Sequence, residues 1–172
     1  MKILVVSDTH GHEENFEKVI KKIGVPDMVL HLGDSEGGED IMREMVDCPM
    51  YLVAGNCDFF CDYPKSRIVE IEGIRIFMTH GHYYHVGLGL DDLAGKAKEN
   101  DCQLALFGHT HKPVLEKHEN GVTILNPGSL TFPRQEGCSP PQSSGDSSGF
   151  QCGADDRLVG ECRCLCIYDY GR

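Results

Sequence analysis

Histidine, aspartate and asparagine side chains recur where apolar runs end in the first 134 residues of the chain. The runs end in Asp8-Thr9-His10, Gly33-Asp34, Gly55-Asn56, His80-Gly81-His82 and Gly108-His109-Thr110-His111. Imidazole nitrogens and carboxylate oxygens together suit divalent ions such as Mn, Fe, Co, Ni and Zn. This donor set exceeds what one tetrahedral ion needs. Two ions about 3.5–4 Å apart, bridged by one carboxylate and a hydroxide, would use all of it.

The elements that must position these residues are strands and helices in alternation. Residues 2–8, 28–34 and 50–56 are apolar runs typical of buried strands, and apolar residues at helical spacing in 12–23 and 41–46 predict two helices. This βαβαβ opening predicts parallel strands with right-handed crossovers. Ligands of such sheets bind at the carboxyl ends of the strands, so we expect the polar segments to converge on one crevice.

The middle of the chain predicts hairpins around a further helix. Two pairs of β runs turn at Glu72-Gly73 and at Asn120-Gly121, which are hairpin signals. A helix at about 90–99 and a buried strand in 103–111 lie between the hairpins. These elements predict mixed sheets layered with helices, closer to a sandwich than to a doubly wound sheet.

The segments DTHG, GD, GNCD, THGH and GHTH resemble the calcineurin-like metallophosphoesterase superfamily in order and spacing. GNCD and NPGSLTFPR are similar to its small bacterial and archaeal phosphodiesterases, and the eukaryotic retromer subunit of this fold is a relative. The resemblance covers residues 1–134. It implies a metallophosphoesterase domain of that length with an α/β fold, a four-layer α/β/β/α sandwich of mixed sheets.

The resemblance also implies seven ligands for two divalent metal ions. They are Asp8, His10 and His111 for the first ion, Asn56, His80 and His109 for the second, and Asp34 as the bridge. Manganese is the favoured metal, with nickel, cobalt, iron and zinc as alternatives. A bridging hydroxide would attack phosphorus, while the ions and Asn56 stabilise the phosphate oxygens. The predicted function is hydrolysis of a small phosphodiester.

The sequence differs from many superfamily members at the position of the general acid that protonates the leaving group. Many members carry a histidine general acid at the position that Cys57 occupies here. A thiol with a reference pKa of about 8.5 is poorly matched to that role, so we expect better activity on diesters with acidic leaving groups than on alkyl monoesters. His12 and His82, both beside predicted ligands, are alternative catalytic acids. Asp58 either orients a ligand or only forms a turn.

Composition excludes several classes of function. The 172 residues include 16 Lys and Arg against 27 Asp and Glu, a formal net charge of −11. Nonspecific nucleic-acid binding rests on a basic face, so we do not expect it. The sequence has no apolar run long enough for a membrane span. Its N-terminal residues do not resemble a secretory signal, which predicts a cytoplasmic protein whose cysteines are thiols.

The composition changes after Arg134. Residues 135–172 contain five of the nine cysteines, and only 157–170 predicts another strand, whereas 138–153 is rich in turn residues. Two explanations stay open: a frameshift in the gene, or a divergent and partly disordered tail. A zinc module made by Cys152, Cys162, Cys164 and Cys166 is disfavoured, because CRCLC lacks the two-residue gaps of structural zinc sites.

The alternative function is a non-catalytic metal-binding or protein-interaction scaffold of the same fold, as in the retromer subunit. Scaffold relatives tend to lose ligands, whereas all seven implied positions carry a donor here. The sequence therefore favours an enzyme. It is also compatible with a homo-oligomer.

Overall fold

The computed structural model describes residues 1–134 and the backbone of two later strands. Its strands are β1 (Lys2–Val6), β2 (Met28–His31), β3 (Met50–Leu52), β4 (Ser66–Ile71), β5 (Ile74–Thr79), β6 (Leu104–Leu106), β7 (Val114–Lys117), β8 (Thr123–Asn126), β9 (Phe150–Gly153) and β10 (Leu165–Asp169). Its helices are α1 (Glu13–Ile23), α2 (Glu39–Glu44) and α3 (Asp91–Glu99), with a 3-10 turn at His82–Tyr84.

The strands form two mixed sheets. The first sheet has the order β3-β2-β1-β10-β9, with β1, β2 and β3 parallel and β10 antiparallel to both of its neighbours. The second sheet has the order β4-β5-β6-β8-β7, with β5, β6 and β8 parallel and an antiparallel strand at each edge. The predicted parallel βαβαβ opening is therefore present, and it forms three of the five strands of the first sheet.

Three layers of buried apolar side chains separate four layers of backbone. Successive residues of a strand face opposite sides of its sheet, so β1 is apolar throughout and sends Leu4 and Val5 into different layers. The layers include Val5, Leu30 and Met78 between the sheets, Leu4, Phe16 and Met42 under α1 and α2, and Phe77, Leu93 and Ala105 under α3. This order of helix, sheet, sheet and helix confirms the predicted α/β/β/α sandwich.

The helices follow the predicted apolar faces, with one difference. Helix α1 buries Phe16 and Val19 and ends before Gly24, whose φ of 74° suits a helix end. Helix α2 is only six residues long, and Ile41, one of the apolar residues whose spacing predicted this helix, is 50% exposed. No helix in the described part of the chain combines the length and apolar character needed to cross a bilayer.

The first predicted hairpin has a two-residue turn. Ile71 pairs with Ile74, and the turn residues Glu72 and Gly73 have φ values of 51° and 81°. Two positive values are typical of the type I′ turn, whose twist matches that of the flanking strands.

The tail is described in part. Strand β10 lies inside the predicted segment 157–170, whereas β9 lies in a segment for which we predicted only turns. The composition of β9 is not typical of a strand, and its extended conformation is stabilised by backbone pairing with β10. The frameshift, disorder and zinc hypotheses for 135–172 otherwise lie outside the described residues. The four cysteines in residues 1–134 are free thiols, as predicted.

Candidate metal centre

Five loops meet at one edge of the two sheets, each directly after a strand. The loops after β1, β2 and β3 carry Asp8, His10, Asp34 and Asn56, and the loops after β5 and β6 carry His80, His109 and His111. Contacts of 3.1–3.3 Å join the two groups. The seven predicted ligands therefore come together across the seam between the sheets.

The first cluster contains two imidazoles that face each other. The Nε2 atoms of His10 and His111 lie 3.3 Å apart. The Nδ1 atom of His10 lies 2.6 Å from Oε1 of Glu36, and Nδ1 of His111 lies 2.8 Å from the carbonyl oxygen of Phe132. Both partners accept hydrogen bonds, so in the neutral rings Nδ1 carries the proton and the two Nε2 lone pairs converge. Converging lone pairs are stabilised by a cation between them.

Asp8 adds a carboxylate oxygen to this cluster. Its Oδ2 accepts a hydrogen bond from the N–H of His109 at 3.2 Å, but its buried Oδ1 finds no neutral donor among the described residues. The Nε2 atom of His111 lies 3.2 Å from Oδ1, and interaction with Asp8 raises the pKa of this histidine. Leaving a buried acceptor unpaired costs about 1–3 kcal/mol. One carboxylate oxygen and two imidazole nitrogens thus fit a divalent ion.

The second cluster surrounds His80. Its Nε2 lies 3.3 Å from Oδ2 of Asp34 and 3.1 Å from Oδ1 of Asn56, and its Nδ1 donates to the carbonyl of Leu32 at 2.8 Å. Burial alone would lower the pKa of His80, but the adjacent carboxylates outweigh it and raise that pKa. Burial would likewise raise the pKa of Asp34, yet hydrogen bonding to His80 holds it well below its usual range. Asp34 therefore remains a carboxylate.

Asp34 also stands between the two clusters, as expected of the predicted bridge. Its Oδ2 lies 4.0 Å from Nε2 of His10 in the first cluster. The ring of His109 completes the second cluster at a centroid distance of 5.2 Å from the ring of His80. Burial and the charge of His80 lower the pKa of His109, which keeps its ring neutral and able to act as a ligand.

Five of the seven predicted ligands have left-handed backbone conformations. Their φ values are 55° at Asp8, 48° at His10, 56° at Asp34, 67° at His109 and 59° at His111. This region costs a residue with a Cβ roughly 1–3 kcal/mol, and it persists where the surrounding contacts enforce it. The reversed backbone lets short loops turn these side chains towards the seam.

The sequence matches the calcineurin-like phosphoesterase superfamily domain over residues 1–139. The chain belongs to this superfamily. It is 33% identical over 135 residues to the probable metallophosphoesterase YsnB of Bacillus subtilis, which covers 78% of each chain. It is 30% identical over 146 residues to phosphodiesterase MJ0936 of Methanocaldococcus jannaschii, which covers 74% of this chain and 83% of the relative.

Solved structures of the superfamily share the fold. A predicted phosphoesterase of Streptococcus pneumoniae has a TM-score of 0.67 at 33% identity, covering 78% of this chain and 75% of the other. A single mutant of Vps29 from Entamoeba histolytica has a TM-score of 0.64 at 27% identity, covering 75% and 74%. Both findings agree with the superfamily assignment.

Asp58 holds two loops of the metallophosphoesterase site together. Its Oδ2 accepts hydrogen bonds from the backbone N–H groups of Asp34 and Gly55 at 2.7 and 2.8 Å. Its Oδ1 accepts from the N–H of Glu36 at 2.8 Å. Of the two roles considered from the sequence, the geometry supports the one in which Asp58 orients a ligand.

The segment after β8 supports the site in a way that the sequence did not indicate. The sequence Asn126-Pro127-Gly128-Ser129 is typical of a structural turn, with lining of the pocket as the alternative. Ser129 Oγ donates to the carbonyl of Asp8 at 2.9 Å, and Thr131 Oγ1 donates to that of Thr9 at 2.8 Å. These bonds hold the first ligand loop, but their partners are more than a hundred residues apart, so no local pattern reveals them.

Two glycines permit close approach of the ligand loops. A Cβ on Gly55 would lie 2.0 Å from Oδ1 of Asp34, and a Cβ on Gly108 would lie 1.9 Å from Oγ of Ser7. A side chain at either position would push a ligand-bearing loop away from its neighbour. Only glycine is compatible with this packing.

Cys57 lies beside the predicted second cluster. Its Sγ is 3.2 Å from Nδ2 of Asn56, which donates to it. Burial, followed by the charge of Asp34, raises the pKa of this thiol to about 11. The thiol is therefore protonated at neutral pH and releases its proton with difficulty.

The two alternative acids occupy different surroundings. The His82 ring lies 5.4 Å from that of His80 and 6.0 Å from that of His109, and burial together with these rings lowers its pKa. The Nδ1 atom of His12 lies 3.0 Å from Oε1 of Glu14, and its ring lies 5.7 Å from the ring of Phe132. His82 is thus the one that contacts the predicted ligands.

A cleft of about 560 Å³ opens beside the candidate metal centre. Its walls combine predicted ligands with apolar side chains and two cations. The apolar residues include Val86, Leu90 and Val114, and the cations are Lys112 and Arg134. The described lining includes neither His12 nor His82, so neither alternative acid faces this space directly.

Proposed function

We propose that this superfamily member is a dinuclear metal-dependent phosphodiesterase that cleaves a P–O bond of a small diester. The observation that carries the proposal is the convergence of the His10 and His111 lone pairs on a buried Asp8 oxygen without a neutral donor. Asp34 links this cluster to a second one around His80. The similarity to a relative named as a phosphodiesterase supports the same activity.

The ligand roles follow the two clusters. One ion would be held by Asp8, His10 and His111, the other by Asn56, His80 and His109, with Asp34 shared. When bound, two divalent ions, Mn²⁺ in the first instance, would make a hydroxide nucleophile available near neutral pH and neutralise charge on the phosphate. Asp8 and Asp34 return only two negative charges, so the loaded site would attract a phosphate anion despite the net charge of −11.

The surrounding residues position these ligands and the substrate. Asp58 fixes the loop of the shared ligand, and Ser129 fixes the loop of Asp8. The Nδ2 group of Asn56, now bonded to Cys57, is the donor available to a phosphate oxygen. These contacts hold the reacting groups without demanding rearrangement at each turnover.

The site offers the leaving oxygen little acid catalysis. The raised pKa of Cys57 and the lowered pKa of His82 leave a weak acid and a neutral imidazole at pH 7. His12, paired with Glu14, is the remaining candidate. An alkoxide needs a proton as it departs, whereas a nitrophenolate does not. We therefore propose diesters with acidic leaving groups as the better substrates.

Metal content and turnover test the proposal together. The chain is stripped with a chelator, loaded with Mn²⁺, and assayed for bound metal and for hydrolysis of bis(p-nitrophenyl) phosphate. We expect two ions per chain, metal-dependent turnover, and loss of both in Asp34→Asn and His111→Ala. His118→Ala, which removes a histidine paired with Asp91 away from the site, serves as the control. Bound metal without turnover of any diester would instead support the scaffold alternative.

A further inference from the structure

The cleft beside the metal centre is larger than a phosphate group requires. Its volume of about 560 Å³ is in the range of sites that bind small organic molecules. The scissile phosphate would lie among the metal ligands at its margin. The remaining space is therefore available to one of the two groups that esterify the phosphate.

Two cations line this space next to a predicted ligand. Lys112 directly follows His111, and the backbone N–H of Arg134 donates to the carbonyl of His111 at 3.0 Å. Both residues line the cleft and are exposed to solvent. Their charges lie beside the metal centre, where a negatively charged substrate has to enter.

Neither cation has an acidic partner in residues 1–134, whereas other lysines do. Lys21 lies 2.6 Å from Oε1 of Glu17, and Lys96 lies 3.1 Å from Oε2 of Glu99. The chain as a whole carries 27 acidic against 16 basic residues, so carboxylates are plentiful. Two cations in one cleft without an acidic partner among residues 1–134 are suited to bind an anion supplied by a ligand.

The same cleft has an apolar wall. Val86 and Leu90 reach it from the segment before and at the start of α3, and Val114 reaches it from β7. Val86 is buried, and Leu90 and Val114 are partly exposed. An apolar surface beside two cations fits a group that is apolar over one part and anionic at another.

We propose that this cleft selects phosphodiesters in which one ester arm carries an apolar ring and a second anionic group, as a phosphorylated nucleoside does. Lys112 and Arg134 bind the second anion, and Val86, Leu90 and Val114 contact the ring. This inference rests on the proposed phosphodiesterase activity. Because both cations are exposed, the gain from the second anion is about 3-fold to 10-fold in kcat/KM.

A matched pair of substrates tests the proposal. One is p-nitrophenyl thymidine 5′-phosphate, and the other is the same diester with a phosphate on the 3′-oxygen. Both release nitrophenolate from the same phosphate, so they differ only in the second anion. The Mn²⁺-loaded chain is expected to prefer the second substrate, mainly through KM. The preference ratio falls to about one in the double variant Lys112→Ala, Arg134→Ala, whereas Lys117→Ala, an exposed lysine outside the cleft, retains it.

A binding measurement separates this inference from the proposed activity. In the metal-free chain, titration calorimetry compares thymidine 3′,5′-bisphosphate with thymidine 5′-monophosphate. Tighter binding of the bisphosphate that is lost in the double variant supports the inference even if no substrate is hydrolysed. Failure of turnover alone contradicts the proposed function. Equal use of the two diesters with equal binding of the two nucleotides, or a preference unaltered in the double variant, overturns the inference.

Discussion

The carboxylate of Asp58 accepts a 2.7 Å hydrogen bond from the backbone N–H of Asp34, and it also accepts from Gly55 and Glu36. Three backbone donors thus depend on one side chain. Asp58→Ala should lower the free energy of unfolding by about 1–3 kcal/mol because these donors lose their partner. It should also weaken metal binding about 10-fold to 100-fold, since the loop of Asp34 is released.

Chemical denaturation and Mn²⁺ titration of the same preparations measure both effects. Asp62→Ala is the matched control, because Asp62 is an exposed aspartate four positions away. A variant at Asp58 that binds metal with unchanged affinity would show that the loop keeps its conformation without this carboxylate.

Metal binding should release protons. Adjacent carboxylates raise the pKa values of His80 and His111, so in the metal-free chain these rings keep their protons to higher pH than usual. A metal ion must displace those protons, and its apparent affinity should therefore fall as the pH is lowered from 7.5 to 6. Calorimetry in two buffers of different ionisation enthalpy counts the protons. Equal heats in the two buffers would contradict this expectation.

His31 should make the fold sensitive to acid. It is fully buried, with Nε2 3.1 Å from Oγ1 of Thr9 and Nδ1 accepting the N–H of Gly33, and burial lowers its pKa to about 4. The unfolded chain binds a proton on this ring below about pH 6.5, whereas the folded chain binds it only below about pH 4. Stability contributed by the neutral ring is thus complete above pH 6.5 and declines towards pH 4, by up to roughly 3 kcal/mol.

The comparison of variants isolates this contribution from that of the metal ligands. Unfolding free energies are measured between pH 7.5 and 4 in the presence of chelator. His31→Gln should be less stable than the unaltered chain at pH 7.5 but should lose less stability on acidification. His85→Gln, at an exposed histidine, should keep the original pH dependence. Parallel pH profiles for His31→Gln and the unaltered chain would disprove the assignment.

Two glycine substitutions should have opposite effects on stability. A Cβ on Gly108 would lie 1.9 Å from Oγ of Ser7 and 2.9 Å from Oδ2 of Asp8, so Gly108→Ala should destabilise by about 1–3 kcal/mol and reduce metal binding. Gly95 lies within α3 with open space at its Cβ position, so Gly95→Ala should stabilise by about 0.5–1 kcal/mol. Thermal unfolding with and without Mn²⁺ distinguishes the two.

Cys57→His should extend the range of leaving groups. An imidazole has a pKa nearer to neutrality than the thiol of Cys57, whose pKa is about 11. We expect kcat for alkyl diesters to rise by about 10-fold or more, with a smaller change for nitrophenyl diesters. Cys57→Ser is the size-matched control and should show no such gain. An equal change for both substrate types would argue against a role in protonation.

Much of the fold was predictable because its signals are local. The apolar run of β1, the helical spacing of Phe16 and Val19, and the two-residue turn at Glu72-Gly73 each depend on neighbouring residues alone. Polar residues directly after each strand then indicated where the loops meet. The convergence of the seven predicted ligands followed from this rule and from the order of the motifs.

Other features depend on contacts between distant parts of the chain. Ile41 continues the helical spacing of α2, yet it is exposed because the helix is short and only Met42 is directed into the layer beneath it. The bond from Ser129 to Asp8 and the three backbone hydrogen bonds that Asp58 accepts require the folded loops to be in place. The left-handed φ values at histidine and aspartate likewise could not be predicted from the amino-acid sequence, because these residue types usually have negative φ values.

The division of the donor set between the two sheets has a mechanical consequence. Asp8 and Asp34 lie on loops that follow strands of the first sheet, and His80 and His111 lie on loops that follow strands of the second sheet. Hydrogen bonds such as those from His80 to the carbonyl of Leu32 and from His109 to Asp8 join the ligand loops of the two sheets, and apolar side chains pack between the rest of the sheets. An ion with ligands from both sheets would restrict their relative movement, so metal loading should also make parts of the sandwich that are distant from the ions more rigid.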